Sequence, residues 1–255
     1  MLKQINQIEL LMKLKMPLVN MLIMNTKYFI LLLAILSSCN IDTNIGHPII
    51  EKVTVNDITL PKGFTISKLY EPTDHEQGSW VSFAKDDKGN FFASDQFGSI
   101  YKATIKKSNG KDSLYVKELN LNVGLAQGLL YHNNELFALV NSYDEKIKSG
   151  LYKIIDSNDD GELDTVKTLK TVIGNGEHGP HSIELSPDKK SMYMVFGNHT
   201  DIPSDVHGRV PEVWGEDNLL PVIKDPSGHA NSRKAPGGWV AQTDFEGKNW
   251  TLIAV

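Results

Sequence analysis

The feature that most constrains this chain is a coarse repeat of short apolar segments and tight turns after Leu60. The apolar segments are of strand length, and examples are WVSFA, NFFASD, HSIELS and SMYMVFGN. Turn-forming runs rich in Gly, Asn and Asp lie at 86–90, 132–135, 186–190 and 244–248. No sustained helical period follows residue 60, so we predict an all-β protein.

The spacing of these segments predicts the architecture. Strands that lead into the four turns begin near Trp80, Gly128, His181 and Gly238, at intervals of 48, 53 and 57 residues. About 50 residues with four strands is typical of one blade of a β-propeller, whereas a β-sandwich does not repeat in this way. We therefore predict an incomplete β-propeller of about four blades. The sequence stops inside an apolar segment, 250–255, so we expect it to be a piece of a longer propeller.

The N-terminal region predicts export and lipid attachment. An apolar run at 28–35 follows Lys27 and precedes Leu-Ser-Ser-Cys at 36–39. The run is far shorter than the roughly 20 residues that span a bilayer, but it has the form of an export signal. The last four residues resemble a lipobox, which implies cleavage before Cys39 and lipid attachment at this residue, which becomes the acylated N-terminus. The alternative, a cysteine buried in a core helix, disagrees with the polar residues that follow.

These patterns define three segments. Residues 1–38 are interpreted as an over-extended start, with Met24 as initiator, plus a lipoprotein signal peptide. Residues 39–59 are predicted to be a tether, and residues 60–255 a partial propeller domain. The expected location is the cell envelope, periplasmic or attached to the outer membrane, with membrane contact through the lipid anchor.

Composition excludes several classes of protein. The chain has 26 Lys and Arg against 31 Asp and Glu, for a net charge of −5, so we expect no nucleic-acid partner. Cys39 is the single cysteine, which excludes an internal disulfide framework and any site built on a C-x-x-C motif.

The segment 174–181, GNGEHGPH, is the densest candidate site. It places Glu177, His178 and His181 on a Gly/Pro loop before a strand, where functional residues concentrate. A histidine here could act as a general base, with Glu177 orienting it. The residues alone leave two alternatives open, namely structural hydrogen bonding and a zinc site for which no third ligand is evident.

An acidic segment at 156–164 matches the opening of a calcium-binding loop. Oxygen ligands would come from relative positions 1, 3, 5 and 9, and Gly161 stands at position 6. The expected ligands are Asp156, Asn158, Asp160 and Asp164. Position 12 is Lys167 instead of Glu, so the loop is not an EF-hand. It binds Ca²⁺ between two strands or is an acidic turn that binds nothing.

Several blocks together resemble the soluble quinoprotein glucose/sorbosone dehydrogenases, six-bladed propellers, and especially their branch of membrane-bound dehydrogenases. The blocks are Gly78-Ser79-Trp80-Val81, Ser94-Asp95-Gln96-Phe97-Gly98, Ala126-Gln127-Gly128-Leu129-Leu130-Tyr131, EHGPHSIELSPD at 177–188, Gly197-Asn198-His199-Thr200 and Ala235-Pro236-Gly237-Gly238-Trp239. The chain is identified on these blocks as a C-terminally truncated member.

The resemblance implies roles for particular residues. The catalytic histidine of the family stands nine residues before a Pro-Asp turn, as His178 does here, whereas His181 stands six before it. Gln127 matches a glutamine that contacts pyrroloquinoline quinone (PQQ), and Glu177 and Asn198 are the other expected cofactor-binding residues. The quinone-binding arginine of the family, in an Arg-Asn pair, is not matched before Val255, nor are its later lysine and arginines.

The function favoured on this basis is a lipid-anchored dehydrogenase that oxidises a sugar or alcohol hydroxyl. His178 would take the proton and PQQ the hydride, with Ca²⁺ polarising the cofactor and a cytochrome as a possible electron acceptor. One rival is a non-enzymatic propeller that binds a glycan or a protein. Another is a metal-dependent lactonase, which needs no redox cofactor.

Lipid attachment predicts a simple outcome for Cys39→Ser. The parent protein should partition into detergent, because the several acyl chains of a lipoprotein give stable anchoring. The variant should be released as soluble or unprocessed protein, as measured by Triton X-114 partitioning and by the mass of the N-terminal peptide. Unchanged membrane attachment of the variant would argue against the lipobox.

Overall fold

The computed structural model describes residues 52–55, 57–210 and 237–255. Cys39, segment 1–38 and part of the Ala235–Trp239 block lie outside these residues, so the predictions on them stay predictions. The chain divides into two compact units, one ending at Ile66 and one running from Ser67 to Val255. Among the described residues, no helix is long and apolar enough to cross a membrane.

The first unit contains one β-hairpin among its described residues. Strands β1 (Lys52–Val55) and β2 (Ile58–Pro61) pair antiparallel, with Val55 opposite Ile58. Asp57, in the turn, has a φ of 63°, which short polar side chains tolerate well. Part of the segment that the sequence predicts as a tether is therefore paired strand.

The second unit begins with a short 3₁₀-helix, Pro72–His75, and continues as strands. Blade 1 is the sheet of β3 (Trp80–Lys85), β4 (Phe91–Asp95), β5 (Ile100–Ser108) and β6 (Lys111–Glu118). Blade 2 is the sheet of β7 (Ala126–His132), β8 (Glu135–Val140), β9 (Gly150–Ile155) and β10 (Thr165–Thr171). Blade 3 contains β11 (Pro180–Leu185), β12 (Met192–Phe196), β13 (His207–Gly208), β14 (Trp239–Thr243) and β15 (Thr251–Ala254), in the order β11-β12-β14-β15-β13. The all-β prediction is confirmed.

The turn residues explain where the strands end. In blade 1, the Asp86 carboxylate accepts hydrogen bonds from the backbone N–H groups of Lys88 and Asn90, at 2.9 and 2.7 Å. In blade 2, Asn133 and Asn134 both have positive φ, the conformation that a two-residue hairpin turn of type I′ requires. The predicted turns are thus formed by local side chain to backbone bonds and left-handed residues.

The first strands of the three blades are neighbours, as in a propeller. The backbone N–H of Leu129 in β7 donates to the Ser82 hydroxyl of β3 at 2.8 Å. A Cβ on Gly128 would lie 2.9 Å from the backbone nitrogen of Ile183 in β11, so only glycine permits this approach of β7 and β11. The fold is a propeller-type array of antiparallel sheets.

Blade 2 carries the core on both of its faces. Leu136, Ala138 and Val140 of β8 join a buried cluster that includes Phe92 and Ile100 of blade 1. The alternate residues of β8, Phe137 and Leu139, belong to a second cluster with blade 3 residues. Side chains alternate between the faces of a strand, so the continuous apolar run of β8 reflects burial on both sides.

The fourth apolar cluster does not begin a fourth blade. The strand that starts near Gly238 is β14, which pairs antiparallel with β12 and forms the third strand of blade 3. The part of the chain that the structure describes therefore contains three blades instead of about four. The long separation of β12 and β14 in the sequence made one strand look like a new repeat.

A buried lysine ties blade 2 to blade 3. The Lys153 side chain is 3% exposed, and its ammonium contacts Glu135 of β8 at 3.2 Å and Glu246 of the β14–β15 turn. Burial is the largest single influence and lowers the Lys153 pKa, but the hydrogen bonds and charges of Glu246 and Glu135 together raise it above its ordinary value. The ammonium is therefore held charged between the two blades.

Removing the two carboxylates should cost more than removing the lysine. The double variant Glu135→Gln and Glu246→Gln leaves a buried ammonium without its countercharges, which we expect to cost on the order of 2 kcal/mol in free energy of unfolding. Lys153→Met removes the buried charge and keeps the volume, and should cost less than about 1.5 kcal/mol. Urea unfolding measures both; a larger cost for Lys153→Met would contradict this account.

The ion pairs of Lys153 with Glu135 and Glu246 also predict that stability depends on pH. A raised folded-state pKa means that the contribution of Lys153 is complete below the ordinary lysine value of 10.5 and is lost as pH rises through the raised value. The parent should therefore lose stability in this alkaline range, and the lysine-free variant should lose less.

Candidate functional site

Each first strand carries a β-bulge near its start. The register shifts between Trp80 and Ser82 in β3, between Ala126 and Gly128 in β7, and between Pro180 and Ser182 in β11. The extra residues are Val81, Gln127 and His181. A bulge re-aims a side chain and is frequent next to active sites. Gln127 and His181 therefore hold equivalent positions in neighbouring blades.

A cleft of about 350 Å³ lies where the ends of the three blades meet. It is lined by polar and aromatic residues from all three: Gln96, Phe97, Gln127, Asn141, Tyr143, Gly176, Glu177 and His181. The structure thus brings together the predicted residues Gln127 and Glu177, together with His181. Gln96, Phe97, Asn141 and Tyr143 were not predicted as site residues.

Asp95 holds the blade 1 wall of the cleft. This residue is 5% exposed, and its carboxylate accepts hydrogen bonds from the backbone N–H groups of Gly78 at 2.7 Å and Phe97 at 3.0 Å. These bonds fold the loop that follows β4 and leave the Phe97 ring 75% exposed at the cleft. The side-chain nitrogen of Gln127 lies 3.5 Å from the backbone oxygen of Gln96, at the junction of blades 1 and 2.

The hydrogen bond of His181 determines which ring nitrogen can accept a proton. Its Nδ1 lies 3.1 Å from the carbonyl oxygen of Pro180. A carbonyl oxygen only accepts, so the proton of the neutral ring is assigned to Nδ1 and the lone pair to Nε2. His181 is exposed and lines the cleft, which makes Nε2 an acceptor for a ligand hydroxyl.

His178 and Asn198 stand elsewhere in blade 3. The His178 ring packs against the His199 ring, with centroids 4.8 Å apart, and its carbonyl accepts the His199 backbone N–H at 2.9 Å. Neither His178 nor Asn198 is among the residues that line the cleft. The Asn198 Oδ1 is buried without a hydrogen-bond partner. The expected set is therefore split, and the catalytic role of His178 stays a prediction.

The expected calcium loop lies at the opposite end of blade 2 from the cleft. The loop follows β9 and lines a separate cavity of about 540 Å³ together with Asn133 and Asn134. These two asparagines precede β8, whereas Asn141 of the cleft follows the other end of that strand. The Asp156 carboxylate accepts hydrogen bonds from the backbone N–H groups of Asp160 and Gly161. Hydrogen bonds from the Ser157 hydroxyl and amide lower the pKa of Asp164. The loop is folded by its own side chains.

Metal binding stays a prediction for both candidate sets. Within residues 52–55, 57–210 and 237–255, no three or more His, Cys, Asp or Glu side chains are grouped to hold a metal ion. The calcium loop and the cleft are also not brought together, so an ion in the loop would not contact a ligand bound near Gln127.

Calcium binding at the loop predicts a specific difference between two neighbouring variants. If the ion is held by Asp156, Asn158, Asp160 and Asp164, calcium should raise the melting temperature by mass action. Asp160→Ala, which removes the side-chain oxygen, should lose most of that rise, whereas Asp159→Ala, outside the ligand positions, should keep it. Calorimetry with calcium and with chelator measures both. An equal calcium response in the two variants would remove the loop from consideration.

Comparison with known proteins does not place the chain in a family. No family model matches it, and no curated protein matches it. Among solved structures it is similar to a protein from Thermus thermophilus described as an oxidoreductase (glucose dehydrogenase), with 18% identity and a TM-score of 0.34. The match covers 48% of this chain and 38% of that protein, so the chain spans well under half of the protein it matches. A likeness of this size supports no argument about function.

Proposed function

We propose that the cleft binds an uncharged sugar or a similar polyhydroxylated molecule. The observation that carries the proposal is the chemistry of the lining: three side-chain amides, two exposed aromatic rings, one carboxylate and the imidazole of His181. This combination is suited to a ligand with many hydroxyl groups and apolar C–H faces.

Each of these groups except Asn141, whose amide is bound to Gly176, has a role in such binding. The amides of Gln96 and Gln127 can donate to and accept from neighbouring hydroxyls, and Glu177 can accept from two of them. The rings of Phe97 and Tyr143, 75% and 71% exposed, offer flat apolar surfaces for a sugar ring. The His181 Nε2 accepts one further hydroxyl proton in a hydrogen bond, as its contact with Pro180 requires.

PQQ does not fit the described lining. The quinone carries three carboxylates, which call for lysine or arginine. The side chains that line the cleft include neither, and Glu177 adds a like charge. We therefore derive no oxidation step through PQQ. Sugar binding is common to the dehydrogenase and to the glycan-binding alternatives, and it is what these residues support.

The lipid anchor belongs to the same proposal. Acylation of Cys39 would place the cleft at the cell envelope, where exported sugars and glycans are met. The resemblance of residues 36–39 to a lipobox supports this part. The detergent-partitioning test of Cys39→Ser addresses it separately from ligand binding.

The lining predicts discrimination between neutral and acidic sugars. The parent should bind glucose more tightly than glucuronate, because Glu177 repels the ligand carboxylate and none of the described side chains that line the cleft is a cation. Two like charges about 4 Å apart repel by about 1 kcal/mol even when they are screened as in bulk water, so glucuronate should bind at least roughly fivefold more weakly. Glu177→Gln should remove most of this difference, as measured by calorimetric titration of both sugars.

A second variant locates the binding. Phe97→Ala should weaken glucose binding with little loss of stability, because the ring is largely exposed and packs on the ligand. Tyr115→Ala, on β6 and away from the cleft, removes a 52% exposed ring and should leave binding unchanged. A parent that binds none of a panel of neutral sugars would overturn the proposed function.

A further inference from the structure

The Asn141 side chain crosses from blade 2 to the loop before β11. Its Nδ2 donates to the carbonyl oxygen of Gly176 at 2.7 Å, and its Oδ1 accepts the N–H of the same glycine at 2.9 Å. Both backbone groups of one residue are thus bound by one side chain, as a neighbouring strand would bind them. The backbone N–H of Asn141 itself donates to the Leu125 carbonyl at 3.0 Å, which fixes its own position.

At neutral pH a side-chain amide can make this pair of bonds, whereas a carboxylate or an aliphatic side chain cannot. The Gly176 N–H must meet an acceptor and its carbonyl must meet a donor, so the orientation of the amide is determined by the backbone. A carboxylate in the same place would set an oxygen against the Gly176 carbonyl. An aliphatic side chain would leave the Gly176 N–H without its acceptor and would leave the carbonyl only the N–H of Gly179, at 3.0 Å.

The loop is shaped to admit this side chain. A Cβ on Gly179 would lie 2.5 Å from the Asn141 Oδ1, so glycine is needed there. Gly176 has a φ of 83°, and its Cβ would lie within contact distance of the Tyr143 hydroxyl. Gly176 and Gly179 therefore allow the Tyr143 and Asn141 side chains of blade 2 to approach this loop closely.

The far side of the loop is held by blade 3 itself. Backbone N–H groups of Gly197 and His199 donate to the carbonyls of Gly179 and His178, at 2.8 and 2.9 Å. Asn141 supplies the tie on the blade 2 side. Glu177 is the residue after Gly176, and His181 is five residues after Gly176. The hydrogen bonds of Asn141 to Gly176 therefore set the distance of Glu177 and His181 from Gln127.

We infer that Asn141 is a positioning residue: its amide clamps Gly176 and thereby places Glu177 and His181 opposite Gln127 in the cleft. This inference rests on the proposed function for its effect on binding. The clamp itself is a property of the loop and can be measured without a ligand.

The test compares Asn141→Asp with the parent in glucose binding. At neutral pH the introduced carboxylate repels the Gly176 carbonyl, the loop moves, and Kd should rise about tenfold. Protonation of the introduced carboxyl restores a donor, so the ratio of variant to parent Kd should fall towards one as pH is lowered through the ordinary Asp pKa of about 3.9. A purely structural defect would not recover in acid. Tyr143, Glu177 and His181 share the cleft in both proteins, so the parent is the reference at each pH.

Asn134→Asp is the matched control, because it makes the same change at the other end of β8. The Asn134 Oδ1 accepts a hydrogen bond from the Tyr131 hydroxyl at 3.4 Å and does not line the cleft. This variant should leave glucose binding unchanged. Gly179→Ala provides a second way to displace the amide and should weaken binding without an acid recovery. Equal binding by folded Asn141→Asp and parent at neutral pH, or a loss that persists in acid, would overturn the inference.

Backbone hydrogen exchange separates this inference from the proposed function. In the parent, the Gly176 amide should be protected, and protection across 174–179 should fall in Asn141→Asp at neutral pH and return in acid. If that pattern holds while the parent binds no sugar, the clamp stands and the proposed function fails. If exchange in the loop is unaffected by the substitution, the clamp fails whatever the parent binds.

Discussion

The three blades depend on the burial of β8 from both sides. Its residues from Leu136 to Val140 are fully buried, alternately against blade 1 and blade 3. Full burial of a large aliphatic or aromatic side chain is worth about 1.5–3 kcal/mol, so neither face of this sheet is stable in water without its neighbour. The cleft is assembled from the loops of three separate sheets, and it exists only because these faces pack.

Much of the fold could be predicted, because short apolar segments and Asn, Asp and Gly turns are local signals. The predicted turn at 86–90 forms through Asp86, and that at 132–135 forms through two left-handed asparagines. The prediction that a fourth blade begins near Gly238 was wrong, because the apolar pattern of a strand does not identify the strand with which it pairs. Trp239 begins β14, which pairs with β12 although residues 197–238 separate the two strands in the sequence. That pairing depends on tertiary packing and not on the local sequence.

The candidate site was harder to predict for a related reason. The spacing to Pro187 predicts His178 as the catalytic histidine, and that role stays a prediction. A count of residues does not show the bulge at His181, which lines the cleft. Gln127 is named by the resemblance, and it lines the cleft at the equivalent bulge of blade 2. Asn141 belongs to none of the blocks that carry the resemblance, and Phe97 lies in one of them without an assigned role. The signal available for them was their place just after the second strand of a blade, which matters only once blades are recognised.

The interface between blades 2 and 3 is tied at both of its ends. Asn141 holds Gly176 beside the cleft, and Lys153 holds Glu246 together with Glu135, the residue at the opposite end of β8 from Asn141. Contacts at the two ends of this interface oppose a hinge motion between the sheets. The width of the cleft is thus set during folding, so a ligand meets a preorganised surface and loses little affinity to the entropy of ordering it.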